Sequence, residues 1–171
     1  MTAGLACAAV AFTSDPDGTH RYRATCTWSG STGAGYDAYA RAHRVEAPPA
    51  AAALELSNDP SLGGDASRLD PEQLVLAAAS SCQLLSFLAI AARARIDVTD
   101  YRDDAEAVMS HDERPARIAA IVLRPRITVA PGPSVPRVER LVDLAHRECY
   151  VANSLATPVT VEPTILGIAR G

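Results

Sequence analysis

Hydrophobic and polar residues follow two different periods along this chain, and each period predicts one kind of element. In the first part of the chain the period is two residues, which predicts strands. Residues 5–13 and 20–28 form a predicted hairpin around the turn Asp-Pro-Asp-Gly, and residues 37–47 form a third predicted strand. Residues 48–70 mix Pro, Ala, Asn, Asp and Gly, which is typical of a long connection.

The longest uncharged run covers residues 74–92 and predicts a buried helix. Asp70 is a candidate N-cap and Pro71 suits the first helical position, so the helix should run from Pro71 to about Ala94. A run of this length could in principle cross a bilayer. Serines and a glutamine interrupt it, however, and it stands alone in a sequence that otherwise looks soluble. We therefore predict a central helix of a globular protein and no membrane span.

The second half of the chain alternates between strand and helix patterns. Residues 98–109 and 117–129 predict strands, residues 134–149 predict a helix capped by a serine, residues 153–155 a short helical turn, and residues 157–166 a closing strand. The order β-β-β-α-β-β-α-β indicates the α+β class, with antiparallel sheet and two principal helices.

Length and charge narrow the function classes. The 171 residues suffice for one domain with a core and are few for two, so residues 1–171 are predicted to form a single domain. The net charge of −4 argues against a general nucleic-acid-binding protein, which would carry a basic excess. The apolar N-terminal segment lacks the basic residues that begin a signal peptide, so we expect a cytoplasmic protein.

The four cysteines, Cys7, Cys26, Cys82 and Cys149, are scattered singly and form no CxxC pair. This spacing leaves two readings open, inert buried thiols or a long-range catalytic pair. Cys149 lies near the C-terminus of its predicted helix, where the dipole disfavours a thiolate, so it suits a resolving thiol better than an attacking one.

An attacking Cys82 would need help from other segments, because a mid-helix position gains nothing from a helix N-terminus. Arg41 and Arg44 are the candidate cations, and Glu72 is the carboxylate that could orient one of them. Ten residues separate Glu72 from Cys82, which is about 15 Å along a helix, so the two cannot touch within one chain. If both belong to one site, Glu72 comes from a partner protomer and the site lies at a dimer interface.

Two other chemistries stay open at this point. His146 stands three residues before Cys149 and shares its helix face, so with Cys82 it could offer three metal ligands, although no zinc-finger spacing supports this. A hydrolase with Cys82 as nucleophile and a histidine base is the other class, and no local signature supports it.

Two segments match motifs that are known together: LDPEQLVLAAASSCQLLSFLAIAARARIDVTDYRDDAEAVM at residues 69–109 and AHRECYVANSL at residues 145–155. They resemble the OsmC/Ohr family of thiol-dependent peroxidases, and the Pro-Glu-Gln-Leu opening is similar to the organic hydroperoxide resistance branch. The resemblance implies that Cys82 is the peroxidatic cysteine and Cys149 the resolving one. It places Glu72 as the residue that orients a thiolate-stabilising arginine, for which Arg41 is the first choice and Arg44 the second.

The resemblance also implies an architecture and partners. The family fold is an intertwined homodimer with antiparallel sheets wrapped around two central helices, and residues 1–19 would add an extra N-terminal strand. We expect reduction of organic hydroperoxides, no cofactor, and a dithiol reductant of the lipoyl type. Gln83, Asp70 and Tyr150 depart from the commonest family patterns, which bears on substrate preference. The alternative is a non-catalytic OsmC-like protein that binds an apolar small molecule at the dimer interface.

Overall fold

The computed structural model describes residues 18–110 and 114–167. The chain divides into two compact units at the bond between Pro71 and Glu72. The strand predicted at residues 5–13 lies outside the described residues. That the two units form one domain stays a prediction.

The first unit is a three-stranded antiparallel sheet with the order β1-β2-β3. Its strands are β1 (Thr25–Thr27), β2 (His43–Glu46) and β3 (Ala53–Leu56), and a short 3-10 helix follows at Pro60–Leu62. The sequence predicted the first two of these strands with longer bounds. The long connection predicted at residues 48–70 is wrong in part, because β3 and the 3-10 helix lie within it. The Ala- and Glu-containing sequence of β3 has weak strand propensity, and pairing with β2 determines its conformation.

The long helix α1 (Pro71–Arg93) lies in the second unit apart from its first residue, and its bounds agree with the predicted run from Pro71 to about Ala94. Its buried residues recur at intervals of three or four and form one stripe: Ala79, Gln83, Phe87, Ile90 and Ala91. The helix is long and apolar enough to cross a membrane by length and composition alone. Its buried stripe instead packs into two apolar clusters with neighbouring strands and a second helix.

Two further helices and six strands complete this unit: β4 (Val98–Asp103), β5 (Glu106–Ser110), β6 (Arg117–Leu123), β7 (Pro125–Val129), α2 (Val135–Arg147), α3 (Tyr150–Ser154), β8 (Val159–Val161) and β9 (Thr164–Leu166). Each strand that the sequence predicts in this unit is in fact two strands. The halves enter different sheets, with the orders β4-β7-β9 and β5-β6-β8.

The breaks between the half-strands meet at a corner centred on Arg124. Its guanidinium contacts Glu106 at 3.0 Å and Glu162 at 3.3 Å, so it links all three breaks. Its backbone N–H donates to the carboxylate of Asp103 at 2.7 Å. The other oxygen of Asp103 accepts a hydrogen bond from the Ser80 hydroxyl at 2.6 Å, which ties the corner to α1.

The last two strands depart from the predicted antiparallel sheet. The pairs β6–β8 and β7–β9 are parallel, because the connection through α2 and α3 carries the chain back before β8 begins. Ser134 occupies the N-cap of α2 but makes no capping side-chain hydrogen bond. The helix ends at Arg147, so Cys149 lies beyond it and is the N-cap of α3.

Candidate active site

The second unit brings Cys82 and Cys149 together. Cys82 is half-buried in the middle of α1, and Cys149 is 1% exposed where α3 begins. The backbone N–H of Val151 donates to the Cys82 sulfur at 3.5 Å. The Cys149 thiol also donates a hydrogen bond to that sulfur. Both cysteines are free thiols.

The two thiols have pKa shifts of opposite direction. Burial alone would raise the pKa of Cys82, but hydrogen bonds from the N–H groups of Val151 and Tyr150, the Cys149 thiol and the Ser86 hydroxyl outweigh it, so the pKa is lowered. Burial raises the pKa of Cys149, and its position as donor to Cys82 raises it further. Cys82 is therefore the thiol that ionises first.

An open groove of about 780 Å³ runs past the Cys82 sulfur. Half of its lining residues on α1 are alanine, leucine or isoleucine, and Tyr150 and Val151 of α3 also line it. Leu85 is 64% exposed within it. The groove can hold an apolar molecule with a reactive group at the sulfur.

Several polar side-chain atoms of the second unit are buried and lack a hydrogen-bond partner among the described residues. The Gln83 side chain is 1% exposed and donates to the carbonyl oxygen of Val142 at 3.3 Å, while its own oxygen has no partner in the described residues. Nδ1 of His146 and the hydroxyl oxygen of Tyr101 are also buried and have no hydrogen-bond partner in the described residues. Burial raises the pKa of Tyr101, and the charges of Asp103 and Cys149 raise it further.

The metal alternative gains no support from the geometry. In the part of the chain that the structure describes, no three His, Cys, Asp or Glu side chains are grouped so that they could hold a metal ion.

The first unit holds Arg41 in an aromatic cradle. The guanidinium lies 4.7 Å from the ring centre of Tyr36 and 4.2 Å from that of Tyr39, and it donates to the backbone carbonyls of both residues. A Cβ atom at Gly63 would lie 2.9 Å from its central carbon. Nε of Arg41 is buried and has no partner among the described residues.

Arg44, the second candidate arginine, forms ion pairs instead of aromatic contacts. Arg44 pairs with Glu46 at 2.9 Å and with Glu55 at 2.7 Å, so two carboxylates already neutralise it. These hydrogen bonds raise its pKa further. Among the described residues, Arg41 has no such carboxylate partner, which favours it as the cation that could serve a thiolate.

Glu72 stands in the first turn of α1, and one of its carboxylate oxygens is buried without a partner in the described part of the chain. Because α1 is continuous from Pro71 to Arg93, Glu72 and Cys82 stay about 15 Å apart along the axis. The structure therefore does not bring these two predicted site residues together within the chain. Of the other cysteines, Cys26 is exposed on β1 and Cys7 lies outside the described residues.

Sequence reasoning missed three donors to the Cys82 sulfur: the Ser86 hydroxyl and the backbone N–H groups of Tyr150 and Val151. Ser86 follows Cys82 by four residues on α1, and this helical spacing was a signal that could have identified it. Nothing in the sequence could have identified the N–H of Val151, because a backbone donor depends only on where α3 begins.

A family model described as OsmC-like protein matches residues 64–164, which include both site cysteines and Glu72. The chain therefore belongs to the OsmC-like protein family. The predicted family membership and α+β fold are confirmed. The match to the family model covers α1, α2, α3 and the strands from β4 to the start of β9.

Solved structures agree with this OsmC-like assignment. An OsmC-like protein of unknown function from Vibrio cholerae is 29% identical, with a TM-score of 0.78, and the match covers 85% of this chain and 100% of that one. An organic hydroperoxide resistance protein from Elizabethkingia anophelis is 20% identical, with a TM-score of 0.65 and coverages of 87% and 97%. One from Bacillus subtilis is 16% identical, with a TM-score of 0.59 and coverages of 85% and 98%. No curated protein matches the chain.

Proposed function

We propose that this OsmC-like protein is a cytoplasmic thiol-dependent peroxidase that reduces organic hydroperoxides. The observation that carries the proposal is the thiol pair: Cys149 donates to the Cys82 sulfur, and the pKa of Cys82 is lowered while that of Cys149 is raised. A reversible peroxide reaction needs one thiol that ionises readily and a second that stays protonated until the first is oxidised.

The reaction has three balanced steps. The Cys82 thiolate attacks the outer peroxide oxygen, the O–O bond breaks, and the alkoxide takes a proton and leaves as an alcohol. The resulting Cys82 sulfenic acid condenses with the Cys149 thiol, which releases water and forms a disulfide. An external dithiol then reduces the disulfide by thiol–disulfide exchange and becomes a disulfide itself. No cofactor takes part in these steps.

We assign Arg41 and Glu72 to the stabilisation of the Cys82 thiolate, as the family resemblance implies. Each has a buried charged-group atom without a partner among the described residues, Nε of Arg41 and one oxygen of Glu72. A buried polar atom that makes no hydrogen bond is costly, which supports a role for both residues in a more complete assembly.

We propose that this assembly is a homodimer. The side of α1 opposite its buried stripe exposes apolar side chains, with Leu85 at 64% and Leu88 at 37%. A second copy of the chain that packs along this side would bury that surface and could supply Glu72 to the first copy's Cys82.

Intact-mass spectrometry tests the peroxidase function. One equivalent of cumene hydroperoxide should lower the mass of the protein by two hydrogens, the signature of a Cys82–Cys149 disulfide. The Cys82→Ser variant should not consume the hydroperoxide. An unchanged mass of the wild-type protein would instead favour the alternative, an OsmC-like protein whose apolar groove binds a small molecule.

Complementation between two inactive variants tests the shared site. Glu72→Gln and Cys82→Ser chains are co-expressed with different tags, and the mixed dimer is isolated on both tags. If Glu72 serves the partner's thiol, one site in each mixed dimer keeps both residues intact and turnover returns. If Glu72 serves its own chain, the mixed dimer stays as slow as its parents. A protein that sediments as a monomer would contradict the dimer itself.

A further inference from the structure

We propose that Tyr36 and Tyr39 are positioning residues that hold the Arg41 guanidinium in place without neutralising its charge. The inference rests on the proposed function, in which Arg41 stabilises the Cys82 thiolate, and it adds the groups that keep this cation available. Both tyrosines belong to the first unit and lie between β1 and β2.

The two tyrosines hold the guanidinium through two kinds of contact. Nη1 of Arg41 donates to the carbonyl oxygen of Tyr39 at 2.8 Å, and Nη2 donates to that of Tyr36 at 2.7 Å. The central carbon of the guanidinium also lies over both rings, 4.2 Å from the centre of Tyr39 and 4.7 Å from the centre of Tyr36. The ring planes stand at 80° to each other. These contacts fix the guanidinium within one short segment of the chain.

The partners of Arg41 in this cradle are neutral. Carbonyl oxygens and aromatic faces attract a cation, but they carry no net charge. Arg44 is held in the opposite way, because the carboxylates of Glu46 and Glu55 neutralise it. Asp37 lines the same pocket as Arg41, yet within residues 18–110 and 114–167 no carboxylate lies within ion-pair distance of Arg41. The charge of Arg41 is therefore available to an anion.

The cradle also leaves hydrogen-bond donors of Arg41 unused. A guanidinium has five N–H groups, and the carbonyls of Tyr36 and Tyr39 accept from one on each Nη. Nε is buried and has no partner among the described residues. An anion that meets Arg41 therefore finds both a positive charge and an N–H group to bind.

Tyr39 is itself held by Trp28. The two rings meet edge to face with their centres 6.2 Å apart, and the indole N–H of Trp28 donates to the carbonyl oxygen of Ala40 at 2.7 Å. Gly30 allows the indole to lie this close to the chain, because a Cβ atom there would lie 2.7 Å from the ring. Tyr39 is half-buried and Tyr36 is 61% exposed, so position 39 is the better place for a test.

Closure of the loop between β1 and β2 is the competing explanation for these contacts. In that case the size and shape of the ring at position 39 would matter, and its electron density would have no effect on Cys82. Fluorinated phenylalanines separate the two explanations. Each fluorine weakens the negative face of the ring, which attracts the cation, and changes the shape of the ring little.

The pH dependence of Cys82 alkylation in the full-length protein tests the inference. Position 39 carries tyrosine, phenylalanine, or mono-, di- or trifluorophenylalanine, and mass spectrometry follows the reaction of the Cys82 peptide with iodoacetamide. The midpoint should stay near wild type in Tyr39→Phe and rise with each fluorine, by roughly half a pH unit in all, since a partly exposed cation–π contact corresponds to less than one pH unit. Tyr39→Leu, which removes the ring, should raise it at least as far. Equal midpoints throughout the series would overturn the inference.

Two controls separate this effect from a general one. The same series at Tyr22 should leave the midpoint unchanged, since in the described part of the chain the rings that lie against Arg41 are those of Tyr36 and Tyr39. In an Arg41→Gln background, fluorination at position 39 should have no effect, because the cation that the ring attracts is gone. A rise that persists without Arg41 would contradict the positioning role.

Alkylation requires no peroxide, so the failures of the two proposals can be distinguished. If the midpoints follow the fluorine series but no hydroperoxide is consumed, the peroxidase function fails and the positioning role stands. If the wild-type protein reduces cumene hydroperoxide while the midpoints stay equal, the positioning role is wrong and the peroxidase function stands. An unchanged midpoint in Arg41→Gln would contradict the assignment of Arg41, and the role of the two tyrosines with it.

Discussion

The backbone N–H of Val151 donates a hydrogen bond to the Cys82 sulfur at 3.5 Å, across 69 residues of sequence. The donor lies in the first turn of α3, two residues after Cys149, which is the N-cap of that helix. One short segment therefore carries both the second thiol and a backbone donor to the first. Four predictions follow from this and from related contacts.

Replacement of Cys149 by serine should stop the reaction after one oxidation. Without a second thiol, the Cys82 sulfenic acid remains exposed to further peroxide and should become a sulfinic acid. Mass spectrometry should show the gain of one oxygen and then of two as the hydroperoxide is increased. Cys26→Ser is the control, since Cys26 is exposed on β1, and it should still give the loss of two hydrogens. Sustained turnover by Cys149→Ser would contradict the role of Cys149.

Replacement of Ser86 by alanine should raise the pKa of Cys82, because the Ser86 hydroxyl is one of the donors that lower it. The thiolate is present above the pKa of the folded protein and is lost as the pH falls through it. The alkylation rate of Cys82 by iodoacetamide should therefore reach its midpoint at higher pH in the variant. Ser81→Ala removes a hydroxyl from the same groove that is not among the Cys82 donors, and its profile should match the wild type. Equal shifts in both variants would contradict this assignment.

Replacement of Gly63 by alanine should slow the oxidation of Cys82 by displacing Arg41. The new Cβ would lie 2.9 Å from the Arg41 guanidinium carbon, at a residue with φ of 81°. Gly35 has φ of 99° and no atom within 4 Å of a Cβ, so Gly35→Ala has similar backbone strain, about 1–2 kcal/mol, without the contact. Stopped-flow oxidation rates should fall in Gly63→Ala and stay near wild type in Gly35→Ala. Equal rates in both would argue that Arg41 has no part in the reaction.

Two replacements of Gln83 should show how the shape and the charge of this buried side chain each affect the free energy of unfolding. Its buried oxygen has no partner among the described residues, so Gln83→Met should change the free energy of unfolding by no more than about 1 kcal/mol. Gln83→Glu should cost about 3 kcal/mol at neutral pH, because it buries a charge. Burial raises the pKa of such a carboxyl, so the penalty is present above that pKa and disappears as the pH falls below the unfolded value. Urea titrations at neutral and acidic pH measure this. A Gln83→Glu protein with no pH-dependent loss would contradict the burial.

The helices could be predicted from the sequence, because each depends on local signals. Pro71 and the uncharged run fix α1, and the spacing of Val138, Val142 and Ala145 fixes the buried side of α2. The halving of the strands was missed, although prolines mark two of the three breaks: Pro125 begins β7 and Pro163 separates β8 from β9. The corner itself could not be predicted, because it arises where Arg124 meets Glu106 and Glu162, which are distant in sequence.

The reactive residues of the candidate site could be predicted from the sequence. The groups that donate hydrogen bonds to the Cys82 sulfur could not. The cysteines and Glu72 belong to motifs that occur in a fixed sequence context, so a resemblance could locate them. The hydrogen bonds that determine which thiol ionises come from Val151, Tyr150 and Ser86. Their positions depend on how α3 packs against α1, which no local pattern encodes.

The two sides of α1 have independent tasks. Ala79, Gln83 and Phe87 point into the protein and are fixed by packing, whereas Leu85 and Arg93 face the groove and touch little of the core. Substitutions on the groove side leave the packing of this core unchanged, so mutation can alter the surface that meets a substrate or a second copy of the chain while the fold is kept. A single scaffold of this kind can therefore diversify into a set of relatives that share the thiol chemistry and differ in the molecules they accept.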